Sequence, residues 1–522
     1  MKELTTKDLI ERGYFPEELP PFFSTKSFAD NFGKLAKEIR KKQNWPEESL
    51  AVRYSIPKGR FSRRNLSIPN PLVFLELAEL IANNRNDIQV IYNRSKISIS
   101  KPKRHDQRAV KPEKNFNEFK NLAFAISSSH KYELKTDITR YYPSMYTHSI
   151  PWAMHSKAAS KKNRGDGLLG NKIDRILRKM QSGQTVGIPI GPDTSFIVSE
   201  LVGAAIDQQL VQAISKEVKG VKIIRFADDY YFYFSSKSDG MRILAILRKI
   251  LADFELEINE AKTKIGEFPN WHCLESEWAM VLQNFQFIDH AKELPQFFNA
   301  AFRYAEQEPN GPVLKYAARI LKDLDFSNEH WPLAQNWLQK MFSYNTATLP
   351  YVAAIFIENK DKVDTANLAA SLASLIDEHC ELGHSYEVSW ALYLAKEFGL
   401  IMSAETFSKI LKSGDVISSL VVLDMKSEGQ VTGRGSLRSL IKELNDEDVF
   451  LSDKWLLAYE ARHNPRFKKL FSGKIKDNNG FKLLRNAGVI FYKPQKSEKI
   501  AEAHSETFTI LDRIFSGSTY EG

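Results

Sequence analysis

Residues 226–230 read Phe226-Ala227-Asp228-Asp229-Tyr230, with strand-like apolar runs on both sides at 221–226 and 230–234. This pattern predicts a β-hairpin whose turn holds two adjacent carboxylates. Two like charges between apolar strands repel, and leaving water adds to their cost, unless a cation neutralises them. Upstream, residues 132–136 alternate as a strand and run directly into Asp137. If the two strands pair, Asp137 meets Asp228 and Asp229. Such a cluster suits two divalent cations roughly 4 Å apart, the arrangement for in-line phosphoryl transfer. An Asp-Asp turn alone is ordinary turn chemistry, so the third carboxylate carries the reading.

The rest of the chain bounds this reading. It has 522 residues and a formal net charge of +9, with ordinary apolar and charged fractions. Disordered, collagen-like and coiled-coil chains are excluded by that composition. Cys273 and Cys380 are isolated, so neither a disulfide framework nor a CxxC zinc site is available. The N-terminus is charged where a signal peptide needs an apolar run, and the apolar stretch 196–206 is too short to span a bilayer. A soluble, cytoplasmic protein without a membrane partner is expected. Basic runs at 40–64, 94–114 and 157–178 predict a phosphate-tracking surface in the first 180 residues. Beyond residue 294 the pattern becomes helical: Val388, Ala391, Leu392, Ala395, Phe398 and Met402 recur at helical spacing, with Gly383, Gly399 and Gly414 as punctuation. Helical hairpins of uneven length, without a strict repeat, are expected there.

Four segments in order carry a family resemblance. Asp137-Ile138-Thr139-Arg140-Tyr141-Tyr142, Gly187-Ile188-Pro189-Ile190-Gly191-Pro192-Asp193-Thr194-Ser195, Phe226-Ala227-Asp228-Asp229 and Leu256-Glu257-Ile258-Asn259-Glu260-Ala261-Lys262-Thr263 resemble motifs A to D of reverse transcriptases. Arg63-Arg64-Asn65-Leu66-Ser67-Ile68-Pro69-Asn70-Pro71 is similar to the fingers segment that precedes motif A in bacterial members. Phe226 stands where retroviral enzymes have Tyr, and no clear primer-grip or thumb pattern follows the fourth motif. The resemblance implies an α+β fold: a right-hand-like palm and fingers polymerase core over 1–290, then an all-α helical-repeat (HEAT-like) domain over 291–522 replacing a thumb.

It also implies roles. Asp137 and Asp228 would bind two Mg2+ ions (Mn2+ being the alternative), with Asp229 in support and the Ile138 carbonyl completing a shell. The Tyr142 ring would close off the sugar 2′ side and select deoxynucleotides, unless it is an ordinary core aromatic. Gly187 and Gly191 would let the backbone approach a nascent base pair. Lys262 would give a proton or a charge to the leaving pyrophosphate, unless it is a solvated surface lysine. Arg64, with Arg63 or Lys58, would clamp the triphosphate. Ser195 reads as a structural or capping residue.

Segments 12–20, 385–392 and 453–461 look like the abortive-infection reverse transcriptases of bacteria, the AbiK type and its defence-associated relatives. That type implies protein-primed, untemplated synthesis of single-stranded DNA from dNTPs, a DNA product covalently attached to the protein, antiphage defence and a closed homo-oligomer. Tyr14, Tyr344, Tyr386 and Tyr459 are the candidate priming hydroxyls, each also readable as a packing residue. The alternative is an RNA-templated, nucleic-acid-primed enzyme of retron-like use.

Overall fold

The computed structural model describes residues 3–494 apart from 43–45, 47, 60, 268–275, 434 and 472; Cys273 lies outside the described residues. Among the described residues, β1 (Val52–Pro57) pairs with β2 (Arg63–Ile68), and β3 (Pro102–Arg104) pairs with β4 (Val110–Pro112). A four-stranded antiparallel sheet holds β5 (Tyr132–Asp137), β6 (Lys222–Phe226), β7 (Asp229–Phe234) and β8 (Lys264–Glu267) in the order β6-β7-β5-β8. The hairpin expected from residues 221–234 is therefore β6–β7.

The unbroken apolar run of β7 has a simple cause: both of its faces are covered. Tyr230, Phe232 and Phe234 join Leu134 in the main core. Tyr231 and Tyr233 pack instead with Ile224, Phe119 and Ala123 beneath the helix Phe116–Ser127. A strand buried on both faces shows no polar alternation. The helix Asp193–Glu217 behaves likewise, with every residue from Asp193 to Asp207 buried, so it lacks an amphipathic stripe.

From Glu277 onwards the described chain is helical, ending with Asn479–Asn486. This region does not stand apart from the first half. The helix Ser385–Glu397 lies against β1, where the Tyr54 hydroxyl and Ser389 Oγ are 2.9 Å apart. Trp390 Nε1 donates to the Glu18 carbonyl at 2.9 Å, and Trp455 Nε1 to that of Ile68 at 3.3 Å. The chain then returns to its start: Ser24 N donates to Phe491 O at 2.8 Å and Lys493 N to Phe22 O at 2.7 Å. One hydrophobic core consequently runs from Leu4 to Tyr492.

The basic runs divide differently from the sequence expectation. Arg108 is buried against Asp193, Arg94 donates to the carbonyls of Ala153 and Met154, and Arg104 pairs with Asp8. Those three arginines of the 94–114 run hold the fold together. Lys157, Lys161, Lys162 and Arg164 of the later run are exposed. No helix among the described residues is long and apolar enough to cross a membrane.

Candidate active site

Antiparallel pairing sets Asp137, the last residue of β5, opposite Asp229, the first of β7. Asp228 sits in the turn between them and β6, and its carbonyl accepts from Ile138 N at 3.2 Å. The fourth motif closes the other side. Asn259 N donates to Asp137 O at 2.8 Å, Thr139 N to Glu257 O at 2.8 Å, and Ile138 pairs with Ile258. Lys262, in the short helical turn Glu260–Lys262, donates from Nζ to Asp137 Oδ2 at 2.7 Å. Three separate sequence segments thus meet at one end of the sheet.

The electrostatics are unfavourable without a cation. Asp137 is buried, and its Oδ1 has no hydrogen-bond partner among the described residues. Burial, and then the charge of Asp137, push the Asp228 carboxyl upward, while Lys262 and Arg64 pull it back. Burial and Asp228 push Asp229 up to about 7, against the pull of Lys135. Withdrawal from water disfavours the Lys262 ammonium, yet its bond to Asp137 and the charges of Asp229 and Asp228 leave its pKa raised. Hard carboxylate oxygens, one of them orphaned and two destabilised as anions, fit a hard divalent cation. Asp137 and Asp228 would hold it.

The turn that carries Asp228 is strained and braced. Ala227 adopts φ 53°, a left-handed conformation that costs a residue with a Cβ. Its N–H donates to Ser100 Oγ at 2.7 Å, and its carbonyl accepts from Arg225 Nη1 at 2.7 Å. Arg225 is itself buried in a charge network. It donates to Glu200 from Nη1 at 2.9 Å and Nη2 at 2.7 Å, and to Asp207 from Nε at 2.9 Å. Ser95 and Tyr230 donate to Asp207, and Ser98 to Glu200. Sequence reasoning missed this network. Its signal was an arginine in an apolar strand and two acids seven residues apart, on one face of an otherwise apolar helix.

Tyr142 is buried beside this cluster, its hydroxyl accepting from Ser199 Oγ at 3.3 Å. Burial raises its pKa, with the nearby Asp228 charge adding to the effect. The glycine loop docks on the same residue, since Ile188 N donates to Tyr142 O at 3.0 Å. Gly187 and Gly191 both take left-handed φ, 88° and 121°. A Cβ at Gly187 would lie 3.1 Å from the Pro143 carbonyl, and one at Gly191 would lie 2.9 Å from Pro16 Cγ. Ser67 N donates to Ile190 O at 2.7 Å, tying the loop to β2. Ser195 is buried in the first turn of the following helix and does not cap it.

The remaining candidates separate. Arg64 and Lys58 contribute to the field at the carboxylates. Arg63, its neighbour on β2, points elsewhere: its guanidinium forks onto Glu387 of the C-terminal helices at 2.8 and 2.7 Å. Tyr14, Tyr386 and Tyr459 are buried, and their hydroxyls donate to the carbonyls of Pro69, Ala347 and Val489. Tyr344 is 45% exposed, its ring edge-on to Phe302.

A carboxylate cluster at the end of a four-stranded antiparallel sheet, flanked by buried helices and faced by a glycine loop, describes a polymerase palm. Residues 88–291 match the family model described as reverse transcriptase (RNA-dependent DNA polymerase). The matched residues include the four strands of the sheet, its three carboxylates and the glycine loop. No curated protein matches the sequence. Solved structures similar to it include apo telomerase from Candida tropicalis (12% identity, 83% of this chain and 75% of that chain covered, TM-score 0.34). A form of the same enzyme truncated from its C-terminal domain is also similar (14% identity, 46% and 56% covered, TM-score 0.31). So is Candida albicans telomerase in complex with a fragment of telomeric RNA (12% identity, 65% and 67% covered, TM-score 0.31). The chain thus spans little more than half the length of the truncated telomerase.

Proposed function

We propose that this chain is a DNA polymerase of reverse-transcriptase type that joins deoxynucleotides to a protein hydroxyl without a template and serves antiphage abortive-infection defence. The observation that carries the polymerase reading is the buried Asp137, opposite Asp229, whose Oδ1 has no hydrogen-bond partner among the described residues. The defence role, protein priming and homo-oligomeric state rest on the resemblance of segments 12–20, 385–392 and 453–461 to abortive-infection enzymes. On this reading residues 1–290 are fingers and palm, and 291–522 are a helical-repeat domain in place of a thumb.

In the reaction a hydroxyl oxygen gives up its proton to water and bonds to the α-phosphorus of a dNTP, the bond from that phosphorus to the β-bridging oxygen breaks, and pyrophosphate leaves. Two bound Mg2+ ions would supply Lewis acidity to the attacking and leaving oxygens. Asp137 and Asp228 hold the cation-binding oxygens in place, with Asp229 behind them. Arg64 and Lys58 orient the triphosphate. Lys262 adds positive charge where the pyrophosphate departs; its raised pKa keeps it an ammonium at neutral pH. Tyr142 presses on the 2′ side of the sugar. Of the four candidate priming tyrosines, Tyr344 is the exposed one.

Two expectations follow from these placements. Tyr142→Ala should lower the preference for dNTPs over rNTPs by at least about tenfold in single-nucleotide kcat/KM measurements, since a packed ring excludes one extra hydroxyl. Unchanged discrimination would remove Tyr142 as the sugar gate. Arg63→Ala should destabilise the fold by about 1–3 kcal/mol in urea, because Glu387 keeps a buried charge that has lost its fork. Arg64→Ala should instead raise KM for dNTPs by roughly tenfold. The reverse assignment of effects would exchange the two arginines' roles.

The family description favours a second reading in its template, RNA; a nucleic-acid primer and retron-like use complete that alternative. Incubation with dNTPs alone separates the two. DNA that stays with denatured protein supports the first, and strict dependence on added primer–template supports the second.

A further inference from the structure

A second cluster of ligating side chains lies in the C-terminal helices, away from the carboxylates of the sheet. His379 occupies the last turn of the helix Thr365–Cys380, His384 directly precedes the helix Ser385–Glu397, and Glu387 lies in that helix's first turn. The connection Glu381-Leu382-Gly383, with Gly383 at φ 67°, brings the two imidazoles together, their centroids 5.0 Å apart and their planes tilted by 33°. Their Nδ1 atoms are 2.8 Å apart. One ligand atom from each of the three residues lies within 4.8 Å of the others, the only such trio among the described residues.

The carboxylate is already held in place. Glu387 is buried and accepts from Arg63 on both oxygens and from Thr346 Oγ1 at 2.9 Å. A carboxylate has about four acceptor positions, so one remains open. Burial lowers the pKa of both histidines, with Arg63 pushing the same way and Glu387 and Glu378 opposing. Neutral imidazole is the form that ligates a metal.

We propose that His379, His384 and Glu387 form a transition-metal site suited to Zn2+, with water as the fourth ligand. The two imidazoles are borderline donors that favour zinc over magnesium, and zinc also accepts a carboxylate oxygen beside them. Zn–N bonds of roughly 2.0–2.1 Å need the two Nδ1 atoms to separate slightly and the carboxylate to draw in. Without the ion, one ring donates its Nδ1 proton to the other. Binding moves that proton to Nε2 of the same ring, so both Nδ1 lone pairs face the metal and no net proton is released. Arg63 then becomes the outer partner of a ligating carboxylate. The ion would clamp the helical region to the β1–β2 hairpin, since Arg63 belongs to β2 and the helix Ser385–Glu397 packs on β1.

The test uses the full chain, stripped by a chelator and titrated with Zn2+ and separately with Co2+ in the presence of excess Mg2+. One Zn2+ per chain is expected, together with visible Co2+ bands of tetrahedral type. His379→Asn and His384→Asn should each weaken Zn2+ binding by more than about a hundredfold, the upper range for removing even an outer partner. The Asp228→Asn, Asp229→Asn double variant should bind it unchanged. Absence of Zn2+ binding by the wild-type chain would overturn the proposal. So would binding that survives both histidine substitutions, or that disappears with the aspartates. If one histidine variant loses its far-UV circular dichroism, the other variant and the wild-type Co2+ spectrum decide.

Discussion

Replacing Asp228 and Asp229 together by Asn should abolish nucleotide incorporation while leaving the fold intact, and in metal-free buffer it should make the fold more stable. The first effect is expected to exceed about a thousandfold in kcat, because it removes cation-binding oxygens rather than a single neutral donor. The second follows from the charges. The Asp229 carboxyl titrates at about 7 in the folded chain, and an unperturbed Asp near about 3.9. Between those values the folded state holds more protons than the unfolded one, so metal-free stability falls as pH rises through that window. Wild-type protein without divalent cations should melt lower at pH 8 than at pH 5, and added Mg2+ should recover part of the difference. The double variant should show a weaker dependence on both pH and Mg2+. Melting curves with and without chelator check this, and incorporation by the double variant would sink the assignment of these carboxylates.

Arg225→Met should be the most damaging substitution away from the carboxylates themselves. It leaves Glu200 and Asp207 buried, each having lost its guanidinium partner, and removes the donor to the Ala227 carbonyl. Breaking a buried ion pair from one side costs about 3–5 kcal/mol, measurable by urea unfolding. Because Ala227 is held in a left-handed conformation, the turn should also lose its geometry, and kcat should fall with little change in KM for dNTP. A triple variant with Glu200→Gln and Asp207→Asn should recover much of the stability, since no unpaired charge remains, but not the activity, since the turn stays unbraced. Recovery of both would show that Arg225 acts on stability alone.

The parts of the fold that were legible are those encoded locally. The β6–β7 hairpin and the strand ending in Asp137 follow from short runs of residues, and antiparallel pairing does the rest. Elements joined over long distances were not legible. Nothing local indicates that Ser27 Oγ donates to the Ile490 carbonyl, or that Trp455 reaches Ile68. Charge runs misled for the same reason: Arg108 and Arg94 look like surface cations, yet their guanidiniums satisfy buried acceptors from distant segments. Arg63 and Arg64 are adjacent and chemically equivalent. Strand alternation sends them to opposite faces, one to Glu387 and one toward Asp228. Tyrosine hydroxyls show the same limit, since three of the four candidates donate to carbonyls within the core.

The central claim is that this chain makes DNA at the Asp137–Asp228 site. Its most direct test is to incubate the purified chain with labelled dNTPs and Mg2+, with and without an RNA template and primer. The protein is then denatured, and its mass is measured before and after nuclease treatment. Label that remains with the denatured protein, and a mass that falls to that of the polypeptide after nuclease, are expected from the wild-type chain alone. Incorporation confined to the primer–template reaction would keep the polymerase and move the priming to nucleic acid. No incorporation under either condition would contradict the account.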